Sequence, residues 1–162
     1  MSRKIILSVE ALEPRLSGIG RYSWELAQRI GQEPGIDAVR FYRNGQWIAD
    51  PATLLEPSPI LTKTQRWIKR RSRPPRWFRD LRDAQVARTH LFHGPNYFLP
   101  AMGEGGVITV HDLSIFRYPE THPAERLRFF EREFQLSVDR AGQVITDSET
   151  TREEVIQFLG LG

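Results

Sequence analysis

Cysteine is absent from these 162 residues. Disulfides and thiolate metal sites are thereby excluded, and a reducing compartment is permitted. Long apolar runs are also lacking. Met1-Ser2-Arg3-Lys4 leads straight into an apolar stretch too short for a signal-peptide core or a membrane span, so the expected location is the cytoplasm. No H-E-x-x-H motif and no carboxylate cluster is present. Of the histidines, His90 and His93 stand three apart in an apparent strand, on opposite faces, and His122 stands alone; a catalytic metal is not expected. No serine or cysteine sits in an elbow motif, which argues against a nucleophilic triad. Internal repeats and low-complexity tracts are missing too.

What is there reads as one soluble domain, with 40% hydrophobic and 27% charged residues. The net charge of +3 is unevenly spread. Residues 63–82 hold nine cations against Asp80 alone, a local +8, so the remainder carries −5. A local basic patch implies an anionic partner more than a global charge does. The patch is interleaved with Trp67, Trp77 and Phe78, a mixture suited to an anionic membrane surface, with Arg66, Trp67, Lys69, Arg70, Arg71 and Trp77 as docking residues. The same mixture suits nucleic acid, although no nucleic-acid module is recognisable and such a partner is not expected. The plain alternative is a helix with a solvated basic face and both tryptophans in the core.

Periodicity gives strands alternating with helices. Lys4 to Val9 reads as a first strand. Gly18-Ile19-Gly20 opens a helix over Arg21 to Ile30, with Tyr22, Leu26 and Ile30 on one face. Asp37 to Tyr42 reads as a second strand, parallel to the first through a right-handed crossover. Arg43 to Pro59 is irregular, with a hairpin-type turn signal at Asn44-Gly45. Helices are expected over Thr62 to Arg71 and Arg76 to Arg88. Further strands are His90 to His93, Val107 to His111 and Gln143 to Thr146. A long helix runs from Pro123 to Arg140, with Leu127, Phe130, Phe134 and Val138 along one face. Thr150-x-x-Glu153 reads as a capping box opening a last helix to Leu159, with Gly160 as its terminal glycine. The pattern predicts an α/β fold: a Rossmann-like, doubly wound, mainly parallel sheet with helices on both faces.

The chemistry concentrates where strands end. Val107-Ile108-Thr109-Val110 is a β-branched run that delivers His111 and Asp112 to its carboxyl end, where ligands bind in parallel sheets. An imidazole there can exchange hydrogen bonds with a sugar hydroxyl or support charge on a reacting group. Asp112 can orient backbone or imidazole; the plain alternative makes it a turn or cap residue. Gly18 and Gly20 let backbone amides approach a phosphate or sugar at a helix N-terminus. A dinucleotide fingerprint would need glycine at position 23, which is Ser23. A tight turn without a ligand remains the alternative.

Four segments taken in order resemble the N-terminal domain of the family-4, GT-B-fold retaining glycosyltransferases, of the bacterial mannosyl- and rhamnosyltransferase type. They are Leu12-Glu13-Pro14-Arg15-Leu16-Ser17-Gly18-Ile19-Gly20-Arg21-Tyr22, His93-Gly94-Pro95-Asn96-Tyr97-Phe98-Leu99-Pro100, Val110-His111-Asp112-Leu113-Ser114 and Thr146-Asp147-Ser148-Glu149-Thr150-Thr151. The resemblance implies that residues 1–162 form the acceptor-side half of an enzyme. That enzyme moves a hexose from a nucleotide sugar, of GDP-mannose or GDP-rhamnose type, to a cell-surface polysaccharide precursor such as O-antigen. It implies His111 and Asp112 at the catalytic rim. Gly18, Ile19, Gly20, Asn96, Tyr97 and Ser148 are implied to bind donor or acceptor. No cofactor beyond the nucleotide-sugar substrate is implied. The partners are a C-terminal nucleotide-sugar domain, a glycan or lipid-linked acceptor and the inner face of the plasma membrane. That second domain, with its phosphate clamp and paired glutamates, is not in this sequence. The chain alone is therefore expected to be inactive, with an unfinished sheet edge that favours self-association. A stand-alone flavodoxin-like module for a nucleotide or an anionic lipid is the alternative reading.

Overall fold

The computed structural model describes residues 3–57 and 76–160, without the side chains of 76–81 and 126. The helix expected over Thr62 to Arg71 lies outside the described residues, and with it Arg66, Trp67, Lys69, Arg70 and Arg71. The backbone at Trp77 is helical.

Six strands form one sheet: β1 (Arg3–Ser8), β2 (Ile36–Arg43), β3 (Gln46–Ile48), β4 (Leu91–Gly94), β5 (Gly106–Val110) and β6 (Ala141–Thr146). Their order is β3-β2-β1-β4-β5-β6. All neighbours are parallel except β2 and β3. The sequence reverses direction between β1 and β4, and that reversal opens a crevice at the strands' carboxyl ends. The expected α/β, mainly parallel sheet is therefore present.

The expectation that Arg43 to Pro59 is irregular needs correcting over its first six residues. Asn44 and Gly45 both take positive φ, 47° and 76°, the geometry of a two-residue hairpin turn that matches strand twist. The hairpin folds β3 antiparallel onto β2. The Trp47 indole N–H then donates to Asp83 at 2.8 Å. That bond satisfies a buried carboxylate and ties the hairpin to α2 (Arg76–Ala87).

Alternation along the strands makes two cores. Ile5 and Leu7 face one side, where α1 (Gly18–Arg29) packs with Ala27, next to Ile30. Ile6, Phe92, Ile108 and Val110 face the other, against Phe134 of α4 (Ala124–Arg140) and Val155 of α5 (Glu149–Leu159). Phe134, 1% exposed, is the largest fully buried side chain among the described residues; burying a phenyl ring of this kind contributes roughly 1.5–3 kcal/mol. A short helix, α3 (Ser114–Arg117), follows β5.

Helix ends follow local chemistry. The Ser17 hydroxyl accepts from the Gly20 amide and caps α1. Gly160 closes α5 with φ +64°, as expected of a terminal glycine. The capping box expected at Thr150 is displaced. Ser148 is the N-cap, because β6 ends at Thr146 and leaves Ser148 in extended backbone, where its hydroxyl reaches the Thr151 amide at 3.1 Å.

Candidate active site

His111 stands one residue beyond β5, and its ring is held on both sides. Nδ1 lies 3.0 Å from Oδ2 of Asp147, at the end of neighbouring β6. Nε2 lies 2.9 Å from the Pro95 carbonyl, in the loop after β4. Carbonyl and carboxylate only accept, so the ring satisfies both when each nitrogen carries a hydrogen. Tyr22 of α1 meets the imidazole edge-on at 4.9 Å, and Tyr97 does so at 6.1 Å. Three strand ends and one helix thus converge on one side chain.

The His111 backbone is anchored as well. Thr151 Oγ1 donates to the His111 carbonyl at 3.2 Å, and the Ser148 hydroxyl contacts Thr151 Oγ1 at 2.9 Å. Since Thr151 spends its hydrogen on His111 and its amide donates to Ser148, the Ser148 hydroxyl must donate to Thr151. The cap of α5 is therefore continuous with the histidine's carbonyl, and Ser148 acts on this rim through Thr151.

Asp112 takes a different place from the one its position beside His111 invites. Its Oδ1 accepts from the Ser114 amide at 2.8 Å, starting α3, and its own amide donates to the Tyr97 hydroxyl at 3.2 Å. The carboxylate against the imidazole is that of Asp147. Partial burial disfavours the Asp112 charge, but hydrogen bonds from Ser114 and Tyr97 and the nearby His111 outweigh it. They hold the carboxyl below the ordinary carboxylate range.

Tyr97 is the most constrained residue here. Its φ is +62°, and the Phe98 amide donates to the Asn96 carbonyl at 2.8 Å. That is a γ-turn with positive central φ, a strained form. Its amide donates to the Thr109 carbonyl, and its side chain is 6% exposed. Burial, with the Asp112 charge second, pushes the phenol up to about 12. The neutral hydroxyl is thus free to serve Asp112. Gly94 makes the turn possible, since a Cβ there would stand 2.1 Å from the Phe98 carbonyl oxygen.

The two glycines of the first loop differ. Gly20 is buried, and a Cβ there would meet the Ala11 carbonyl at 2.9 Å, so it lets α1 seat closely against the loop after β1. Gly18 is exposed, with open space where a Cβ would go. Ile19 between them lines a cleft of about 300 Å³ together with Asn96, Tyr97 and Asp112. A larger groove, about 900 Å³, runs between α3 and α5 but gathers neither His111 nor the 95–100 loop.

Beneath the imidazole lies a buried polar line. His93 Nε2 is 3.0 Å from Thr109 Oγ1, and the Tyr22 hydroxyl is 3.4 Å from the same oxygen. Burial lowers His93 to about 4, leaving it neutral. Among the described residues no group of three or more potential ligands converges on a metal position. No described helix is long and apolar enough to cross a membrane.

Of the residues singled out from sequence, Ile19, Asn96, Tyr97 and Asp112 share the cleft, His111 directly precedes Asp112 without lining it, and Ser148 acts through α5. Asp147 and Tyr22, both inside the recognised segments, were not singled out there. No family model and no solved structure matches the chain. The O-antigen chain mannosyltransferase B of Escherichia coli does match, 31% identical over 173 residues that cover 96% of this chain. The chain is similar to a mannosyltransferase-like glycosyltransferase. It spans 43% of that relative's length. Similarity across nearly the whole chain includes the four segments on which the resemblance was recognised.

Proposed function

We propose that this chain is the acceptor-side half of a glycosyltransferase that moves a mannose-type hexose from a nucleotide sugar to an O-antigen-type polysaccharide precursor. The observation that carries the reading is His111, clamped between Asp147 and the Pro95 carbonyl at the carboxyl edge of the parallel sheet. The relative's name supplies the sugar and the polymer; the residues supply the chemistry. With both ring nitrogens engaged, His111 is built to hold position rather than to shuttle a proton. Around it stand the Asp147 and Asp112 carboxylates and the Pro95 carbonyl. Such oxygens favour positive charge spread over an anomeric carbon and its ring oxygen.

In this reading the donor's nucleotide is held mainly by a second domain, in keeping with the 43% of the relative that this chain spans. The Arg/Trp segment around residues 66–77 docks the enzyme to an anionic membrane, near a lipid-linked acceptor. The test is a transfer assay with GDP-mannose and a lipid-extract acceptor, run on this chain beside its full-length parent. Transfer by the parent alone is expected. Absence of transfer and of GDP release by the parent would overturn the reading. Cosedimentation with anionic vesicles, lost at high salt, checks the docking segment.

A further inference from the structure

We propose that the 300 Å³ cleft between α1, the 95–100 loop and α4 holds one uncharged pyranose of the acceptor, with Phe129 as its platform and His122, Asn96 and Asp112 reading its hydroxyls. This deepens the transferase reading and rests on it for the identity of the sugar, but its argument is local.

The first observation is Phe129. The inward face of α4 carries Phe130 and Phe134, whereas Phe129 is 53% exposed. This exposed phenyl ring nonetheless has neighbours. Phe98 meets it edge-on at 6.1 Å, and the Arg132 guanidinium lies 6.0 Å from its centroid. A half-exposed aromatic packed edge-on against a neighbour at a cleft mouth is an apolar surface open to a partner.

The second observation is the polar groups in the same cleft. The Asn96 amide and the His122 ring have no hydrogen-bond partner among the described residues. Asp112 accepts from the Ser114 amide through Oδ1 and also from the Ser114 and Tyr97 hydroxyls, and a carboxylate, with about four acceptor positions, keeps one for a ligand. A mostly apolar cleft with a few convergent, unpaired polar groups is the pattern of a small-molecule site.

The third observation is what does not line it. Among the described side chains, which do not include that of Arg126, no lysine or arginine lines it, while Asp112 contributes a carboxylate held in its charged form. Inside the cleft a phosphate or nucleotide would meet that like charge with no described lysine or arginine among the lining residues to offset it. An uncharged pyranose fits both halves, since it has a C–H face for a phenyl ring and hydroxyls at its edge for carboxylate, amide and imidazole. The location suits an acceptor, because Asp112 directly follows His111 and adjacent Cα atoms lie only about 3.8 Å apart.

The experiment is a titration of this chain with α-linked mannobiose, followed by NMR of the Asn96 side-chain amide and the His122 ring. Both signals are expected to shift together. F129A is expected to weaken the apparent affinity by about tenfold, F129Y to restore it, and N96A to weaken it without a change in melting temperature. Unshifted signals in the wild-type chain, or affinity unchanged in both F129A and N96A, would overturn the proposal. Failure of the transferase reading looks different. The full-length parent would turn over no GDP-mannose while mannobiose still bound at Phe129, and the cleft would stand as a mannoside site without the transfer.

Discussion

His111 Nδ1 lies 3.0 Å from Asp147 Oδ2, although the two residues are 36 positions apart. The contact exists because β5 and β6 run parallel and in register, Val110 opposite Thr146. Each strand therefore delivers its next residue to the same edge, where one brings an imidazole and the other the carboxylate that orients it.

Asp147 is expected to matter more for turnover than for folding, since its side chain is half exposed at 49%. In the full-length protein, Asp147→Asn should lower kcat by about 100-fold, in the range seen when one preorganised electrostatic contact is lost. The melting temperature and donor KM should change little. Steady-state kinetics beside a thermal melt checks this, and an equal rise in KM with no change in kcat would contradict a positioning role.

Two glycine substitutions should part company. Gly94→Ala places a methyl 2.1 Å from the Phe98 carbonyl and must distort the Tyr97 turn; a loss of about 3 kcal/mol or more is expected. Gly18→Ala meets open space at the start of α1, so its effect should fall within about 0.5 kcal/mol of neutral. Urea denaturation of both variants measures the contrast.

Stability should fall on mild acidification. Burial lowers His93 from 6.5 to about 4. The unfolded chain therefore takes up a proton below pH 6.5 that the folded chain refuses until about pH 4. The stabilisation is complete above pH 6.5 and is lost as pH falls through that window, amounting to about 3 kcal/mol in all. Denaturation series at pH 7 and pH 4.5 should show the loss. His93→Gln, which keeps a donor toward Thr109, should flatten the slope.

Tyr97→Phe removes the hydroxyl that receives the Asp112 amide. A loss of about 1 kcal/mol is expected, with a further fall in transfer activity as the Asp112 turn loosens. Ser148→Ala should cost about 1 kcal/mol through its cap and free Thr151 from the orientation that serves the His111 carbonyl. Chemical denaturation checks both values.

Much of this was legible in the sequence because it is local. The β-branched run ending at His111 and the glycine after Leu159 act on neighbours one to four residues away. The 127, 130, 134, 138 periodicity of α4 also leaves Phe129 off the inward face. Less legible was whatever depends on register between strands. Asp147 reaches His111 only through β5–β6 pairing, and Asp112, nearer in sequence, gives its carboxylate oxygen to the Ser114 amide to start a helix. The Tyr97 turn was hidden for another reason. A bulky residue at positive φ contradicts local preference, and only the strand contacts and the missing Cβ of Gly94 hold it there. Ser148 was passed over for Thr150 because capping-box spacing does not reveal where the preceding strand stops.

The most direct test of the central claim is mannosyl transfer from GDP-mannose by the full-length protein carrying His111→Ala, with folding verified by its melting curve. The account predicts a folded protein with turnover reduced by about 100-fold or more. Wild-type turnover in that variant would contradict the role assigned to the strand-end histidine.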